Sequence, residues 1–320
     1  MTSEPPLRFG LAGTGHWARV THAPALASTG GIELAAVWGR DGAKAAGLAA
    51  GYGAAAGTDF GDFLGRVDAV AFSVPPDVQQ ELAVRAARAG KHLLLEKPVA
   101  LSVAAADELA GAVAAAGVAS VVFFTHRFEP AVRAWLAQVA AGGPWLGGTL
   151  SWLGTAMDGS SPFNTPWRRA KGGLWDLGPL AVSLLWASLG PVVSVTADAG
   201  PRGVTYLILH HQSGVTSSAT LTLDAPPAAE GVDLRLWGEP GRSAAPLADR
   251  DAVAALRTAL TELAASARSG HPSHPCDASF GRDIVAVLAD AEAQVTSWSA
   301  DARRDSVSPA PCGPRDERRD

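Results

Sequence analysis

Leu7-Arg8-Phe9-Gly10-Leu11-Ala12 runs straight into Gly13-Thr14-Gly15-His16-Trp17-Ala18, and this join decides how the first half of the chain folds. The apolar run predicts a buried strand. The segment after it is G-x-G-x-x-A. Small residues at those positions permit a tight turn and let the backbone approach a pyrophosphate. The helix that follows offers free N–H groups and the positive end of its dipole. Alone, the pattern is weak in a chain with 35 glycines. Its setting strengthens it, because a second strand is expected at Ile32 to Val37. Gly13, Thr14 and Gly15 are therefore expected to hold a dinucleotide. His16 and Trp17 are expected to shape the turn and cover the phosphates.

The end of the second strand bears on the type of dinucleotide. A carboxylate is usual there, about twenty residues past the glycines, to accept from the ribose 2′-hydroxyl of NAD. This chain has Gly39 at that position, then Arg40 and Asp41. Arg40 is suited to a 2′-phosphate and to stacking on adenine. NADP(H) is the expected cofactor, with NAD(H) possible. The alternative is a solvated Arg40 with Asp41 capping the next helix.

Further out, Asp68 to Ser73 predicts another buried strand and Asp77 to Ala89 a helix, with Gly90 as its C′ residue. Lys91-His92-Leu93-Leu94-Leu95-Glu96-Lys97-Pro98 then gives a short apolar strand ending in a carboxylate and an ammonium. In open α/β sheets ligands sit at that carboxyl edge. Lys97 is the candidate to touch both cofactor and substrate, and Pro98 biases it toward extended or turned backbone. A helix from Ser102 to Ala116, N-capped by Ser102, and a strand from Val118 to Thr125 complete the unit. Strands alternating with helices predict a doubly wound parallel sheet, a Rossmann α/β domain over residues 1–125.

The second half reads differently. His126 opens a helix to about Ala141, Gly148 to Gly154 is a strand, and Met157 to Thr165 is a polar loop of the kind that covers a site. Trp167, Arg168, Arg169 and Lys171 follow. Cations beside a Trp suit a cofactor phosphate, the carboxamide region or an anionic substrate. Leu174 to Leu189 predicts one helix. Val192 to Ala197, Val204 to His211, Val215 to Leu223 and Val232 to Trp237 are short consecutive strands, which predicts antiparallel pairing. Helices are expected at Asp251 to Ser266 and Phe280 to Trp298. The reading is an α+β domain over residues 126–300 on a mainly antiparallel open sheet, then a charged tail, 301–320, expected to be disordered. Thr216, Ser218, Thr220 and Thr222 give that sheet a semi-polar face, where a homodimer or homotetramer is expected to form.

Composition excludes several classes. The net charge is -5 and no basic stripe precedes the last residues, which disfavours nucleic acid. The two cysteines, Cys276 and Cys312, lack metal-like spacing. His271-Pro272-Ser273-His274-Pro275-Cys276 looks metal-like in type, but its prolines favour a loop, and no metal is expected there or at His210 and His211. Leu7 to Ala12 is too short to cross a bilayer, and Met1 to Pro6 lacks the features of a secretory leader. A soluble cytoplasmic protein acting on a small molecule is expected, with no membrane partner.

Several segments together resemble the Gfo/Idh/MocA family of nicotinamide-dependent oxidoreductases. They are Gly13 to Ala18, Ala36-Val37-Trp38-Gly39-Arg40, Ser73-Val74-Pro75-Pro76, Ala89-Gly90-Lys91-His92 into Glu96-Lys97-Pro98, Arg127-Phe128-Glu129-Pro130, Trp167-Arg168, and Gly172 to Gly178. The resemblance implies an enzyme with Ser73, Pro75, Glu96, Lys97 and Arg168 at the cofactor. It implies Lys97, Arg127, Trp167, Asp176 and Leu180 at the substrate. Lys97 matches the lysine that contacts nicotinamide ribose and substrate. Asp176 matches an acid that orients a histidine one helical turn later.

That histidine is missing. Leu180 stands in its place, Ser183 where a further acid is common, and Gln79 where another histidine is common. Oxidising a hydroxyl needs a base near its proton, and Leu180 is not one. Lys97 or Asp176 would have to serve. In the reducing direction Lys97 is already a suitable acid for a carbonyl oxygen. The expected reaction is therefore reduction of a carbonyl or imine on a partly apolar molecule. The alternatives are a sugar or polyol dehydrogenase using Lys97 or Asp176 as base, and a cofactor-binding sensor or subunit without turnover.

Overall fold

The computed structural model describes residues 5–248, 251–270 and 272–305. Strands β1 (Leu7–Ala12), β2 (Ile32–Trp38), β3 (Ala55–Gly57), β4 (Ala69–Phe72), β5 (His92–Glu96) and β6 (Ser120–Phe123) form one sheet. Its order is β3-β2-β1-β4-β5-β6, and all pairs are parallel. Every residue of β4 and of β6 is buried, as expected of strands covered on both faces. The covering helices are α1 (Ala23–Ser28), α2 (Gly42–Ala50), α3 (Phe60–Leu64), α4 (Pro76–Arg88) and α5 (Val103–Ala116). The strand order reverses between β1 and β4, and that switch point opens a crevice at their carboxyl ends. The expected doubly wound sheet is present. The short β3 (Ala-Ala-Gly) was not foreseen, having no hydrophobic period to announce it.

The caps follow from local chemistry. Asp41 accepts from the N–H of Ala43 and Lys44, and Ser102 accepts from Ala105 N–H. Gly90 takes φ +73° just past α4, a left-handed conformation that glycine adopts without strain.

The second half contains α6 (Pro130–Gly142), β7 (Trp145–Leu153), α7 (Pro166–Asp176), α8 (Gly178–Leu189), β8 (Val192–Ala199), β9 (Thr205–His211), β10 (Thr216–Thr222), β11 (Gly231–Gly238) and β12 (Gly241–Ala244). The second sheet has the order β12-β11-β7-β10-β9-β8. Four of its pairs are antiparallel, as expected, but β7 and β10 run parallel. Consecutive strands turn back on each other. β7 and β10 are instead separated by two helices and two strands, so the chain has room to return in the same direction.

Helix α8 covers one face of this sheet, which buries Leu150, Leu221 and Leu234. The opposite face is open. Registered rows such as Tyr206–Thr220–Ser151–Asp233 and Ile208–Ser218–Thr149–Arg235 lie along it. Tyr206, Ile208 and Trp237 are exposed large apolar residues on these strands. Thr222, expected on this face, is buried and donates to Arg202 O.

Two further corrections concern helices. The helix expected from Leu174 starts at Pro166, so Trp167 and Arg168 lie in its first turn. Gly172 breaks that helix with φ +64° and ψ -163°, and Leu177 separates α7 from α8.

Helices α9 (Ala252–Arg268) and α10 (Ala278–Asp305) tie the halves together. Asp251 caps α9 through Ala254 N–H. α10 packs on α5 and on β8, burying Ile284, Val285 and Leu288. Each such side chain contributes about 1.5–3 kcal/mol of hydrophobic stabilisation. A Cβ on Gly281 would stand 2.6 Å from Val99 Cγ1, so this residue's size sets how closely α10 approaches the first sheet. Of the tail expected to be disordered over 301–320, residues 301–305 instead continue α10, and the rest lies outside the described residues, as do His271 and Cys312. Among the described residues no helix is long and apolar enough to cross a membrane.

Candidate active site

The glycine join sits in the crevice. Gly13 has φ +129° and a Cβ there would lie 2.2 Å from Ser73 O, so only glycine fits between the ends of β1 and β4. Gly39 is similarly confined, since its Cβ would meet Thr14 Cγ2 at 2.8 Å. Gly15 has nothing near its Cβ position and faces open space. After it the chain is helical, but Ala18–His22 form a π-turn that leads into α1. Wide turns of this kind are frequent at functional sites.

The end of β5 is fixed by a residue whose part was not foreseen. Gln79 lies buried on α4. Its Oε1 accepts from Glu96 N–H at 2.8 Å, and its Nε2 donates to Glu96 O at 2.7 Å. This two-way clamp holds the backbone that presents Glu96 and Lys97. Consecutive strand side chains point to opposite sides, and these two do. Glu96 Oε1 accepts from Trp17 Nε1–H at 2.7 Å and lies 2.8 Å from His22 Nε2. His22 is fully buried. Nothing in the sequence pattern marked it, because it lies a turn beyond the glycine motif.

Lys97 reaches across to the second half. Its Nζ donates to Asp176 Oδ1 at 2.9 Å and to Asp176 O at 2.6 Å. Arg168 Nε donates to the other carboxylate oxygen at 2.9 Å. Burial by itself would raise the Asp176 carboxyl, but the Lys97 and Arg168 cations outweigh it and hold the group below the usual carboxylate range. Asp176 is thus a buried anion with both oxygens engaged. It is a poor proton acceptor, and the expectation that it might act as a base is not supported by this geometry.

These groups surround a cavity of about 850 Å³ between the two halves. Gly15, His16, Trp17, Arg40, Ser73 and Pro75 line it on the glycine side. Glu96 and Lys97 line its floor, and Trp167, Arg168, Asp176 and Leu180 face them. Gly13, Thr14 and Gly39 shape the turn behind the lining. Arg127 is the exception. It donates to Ser183 O at 3.1 Å and its guanidinium lies 5.8 Å from the Phe280 ring, bracing α8 against α10 outside the cavity. The reason is local: Thr125–Phe128 is a 3-10 turn, which directs Thr125 into the cavity and Arg127 away from it. Neither Glu129 nor Asp176 meets Arg127 among the described hydrogen bonds.

The loop after β7 carries Phe163, a third residue not foreseen. Its ring packs edge-on to His16 at 5.6 Å and Trp17 at 5.9 Å, so the loop reaches over the cavity to the glycine turn. Elsewhere, the Cys276 thiol is pushed up to about 11 by burial. His211 is held by Gly190 O and Ser217 Oγ. Among the described residues no group of three or more His, Cys, Asp or Glu is arranged to hold a metal ion.

A nicotinamide dinucleotide fits the residues present. The glycine turn leaves backbone room at Gly15, and the crevice is walled by Ser73 and Pro75. Arg40 stands exposed on the cavity lining, where a ribose or its phosphate would lie. Asp41 does not compete for that role, because its carboxylate is occupied at the start of α2.

Comparison with known proteins agrees with this geometry. Residues 7–124 match the profile of GFO_IDH_MocA, described as an oxidoreductase family with an NAD-binding Rossmann fold. A 4-carboxy-2-hydroxymuconate-6-semialdehyde dehydrogenase from Sphingobium sp. is 34% identical over 139 residues, covering 42% of this chain and 44% of the relative. An inositol 2-dehydrogenase from Rhizobium meliloti is 34% identical over 125 residues, covering 39% and 38%. The chain spans about half or less of the length of the curated relatives it matches. The crystal structure of GenD2 from gentamicin A biosynthesis, in complex with NAD, superposes with a TM-score of 0.81 at 19% identity, covering 93% of this chain and 96% of that one. That likeness shows a shared fold through both halves. Residues 7–124 are thus similar to the NAD-binding Rossmann fold of the Gfo/Idh/MocA oxidoreductases, and the chain shares the fold of GenD2 through both halves.

Proposed function

We propose that this chain is a nicotinamide-dependent oxidoreductase that reduces a carbonyl or imine of a partly apolar small molecule, with Lys97 as proton donor. The observation that carries the reading is the Lys97 ammonium, held by Asp176 at 2.9 Å on the floor of a cavity that begins at the glycine turn. A nicotinamide dinucleotide bound there supplies hydride at its ring. Lys97 has three N–H donors. Two are directed to Asp176, which leaves one for a carbonyl oxygen and a proton to give it. Asp176 and Arg168 keep the amine in place, and the Gln79 clamp keeps its strand end in place. The wall opposite includes Trp152, Leu177, Leu180 and Leu223, which suits an apolar substrate body.

NADP(H) is the proposed cofactor because Arg40 is exposed on the lining and the adjacent Asp41 carboxylate caps α2. Titration with NADPH and NADH tests this, and tighter NADH binding would reject it. The open face of the second sheet, with Tyr206, Ile208 and Trp237 exposed, is the proposed contact of a homodimer or homotetramer working in the cytoplasm. A monomer by light scattering would reject the assembly.

Consumption of NADPH and NADH over a panel of aldehydes, ketones and imines, with Lys97→Ala as control, tests the activity. One observation favours a second reading. Leu180, where the family's histidine is expected, is buried in the cavity wall and can move no proton. Cofactor binding without turnover on any member of the panel would make the chain a non-catalytic sensor or subunit. Faster turnover of a simple sugar or inositol than of apolar carbonyls would return it to the polyol dehydrogenases.

A further inference from the structure

Arg168 is set differently from an ordinary paired arginine. Its Nε–H is taken by Asp176 Oδ2 at 2.9 Å. Its Nη1 has Thr165 Oγ1 at 3.5 Å, too far to satisfy it. Among the described residues no hydrogen bond engages Nη2. Two rings lie against the guanidinium, Trp167 at 4.6 Å and Phe163 at 5.4 Å, fixing its plane. What remains is the outer edge of the fork, the part that receives a carboxylate through two parallel N–H bonds.

Charge points the same way. Lys97 and Arg168 share the single carboxylate of Asp176, and their side chains are only 12% and 18% exposed. The cluster therefore holds one positive charge more than it neutralises, largely out of water. Nearby carboxylates are turned elsewhere: Glu96 to Trp17 and His22, Glu230 to Thr155. Asp77 sits in the first turn of α4, on the glycine side. A buried excess cation favours an incoming anion.

We infer that Arg168 is an anion subsite beside Lys97, and that the substrate is a carbonyl compound with an apolar body and a carboxylate or comparable anionic group. This rests on the reductase reading. Lys97 and Arg168 grip the two oxygens of one side chain, so the substrate's carbonyl and its anionic group lie only a few bonds apart. The cavity's apolar wall of Trp152, Leu177, Leu180 and Leu223 takes the body. A phosphate of the dinucleotide offers the same chemistry, and the test separates the two sources.

The full chain, saturated with NADPH or NADH, is titrated with benzoate and with its neutral counterpart benzamide by calorimetry. Benzoate is expected to bind tighter by about tenfold or more, the worth of a charge-assisted pair. Arg168→Gln removes the preference while dinucleotide binding persists. Arg168→Lys, which keeps the charge but not the fork, retains part of it. Equal affinities for benzoate and benzamide in the unaltered protein, or no binding of either, overturn the inference whatever the variants do. It is also overturned if benzoate binds only the dinucleotide-free chain and ADP-ribose displaces it, since the site then serves the cofactor's phosphates. None of these readouts needs turnover. Failure of carbonyl reduction would reject the reductase reading by itself, separately from this result.

Discussion

Glu96 and Lys97 are neighbours in sequence, yet they organise two different polar networks. Glu96 turns inward to Trp17 and His22, entirely within the first domain, and His22 Nδ1 is left buried without a partner. Lys97 turns outward to Asp176 and Arg168, and its network crosses between domains with both carboxylate oxygens engaged. The first network fastens the glycine turn to the strand end. The second lines the cavity with groups from two halves that sequence alone does not juxtapose. Alternation along one strand is enough to send adjacent charges to different tasks.

The largest effect expected from breaking this pairing is at Asp176. Asp176→Ala strands two largely buried cations, with a cost of about 3–5 kcal/mol. Chemical denaturation should read that loss, and turnover should fall with it. A variant as stable as the parent would mean that solvent already screens the cluster. Lys97→Ala comes next. It should lower turnover by about 10²- to 10⁴-fold, the usual contribution of a positioned acid, while dinucleotide affinity measured by fluorescence changes little.

Gln79→Ala sharpens the comparison because it touches the backbone beneath both networks. It leaves Glu96 N–H and C=O without their partner and should cost about 1–3 kcal/mol by denaturation. Trp17→Phe should be milder, about 0.5–1.5 kcal/mol, since Glu96 keeps His22.

The smallest effect is one of pH. The Asp176 carboxyl lies below its unfolded value of 3.8. The native state therefore binds its proton less readily than the unfolded chain does. Its stabilising contribution is fully present above that unfolded value and is lost as pH falls through the lower, folded one. Denaturation midpoints measured in acid should show this decline, and Asp176→Asn should remove that portion of it. An unchanged acid profile in the variant would assign the decline to other carboxylates.

Most of the first domain was legible because its signals are local. β1 could be bounded from its apolar run, and Gly13, Ser102 and Gly90 announced a turn, a cap and a helix end through backbone chemistry. Lys97 was legible as a strand-end cation. The misses share a physical cause. Gln79 and His22 act on residues 17 and 74 positions away, Phe163 acts from a loop, and the parallel β7–β10 pair spans two helices. No periodicity encodes such contacts. Arg127 was misplaced for a smaller reason, a tight turn that rotates it out of the cavity.

By itself, then, the sequence determined the parallel sheet, its dinucleotide turn and the ammonium at the end of β5, because burial, glycine conformation and side-chain alternation are short-range properties. Only the tertiary structure decided that both oxygens of Asp176 are engaged, by Lys97 and by Arg168. Only it decided that Arg168, not Arg127, joins the cavity. Both depend on how the second domain folds back over the first, and that is set by packing between segments far apart in the chain.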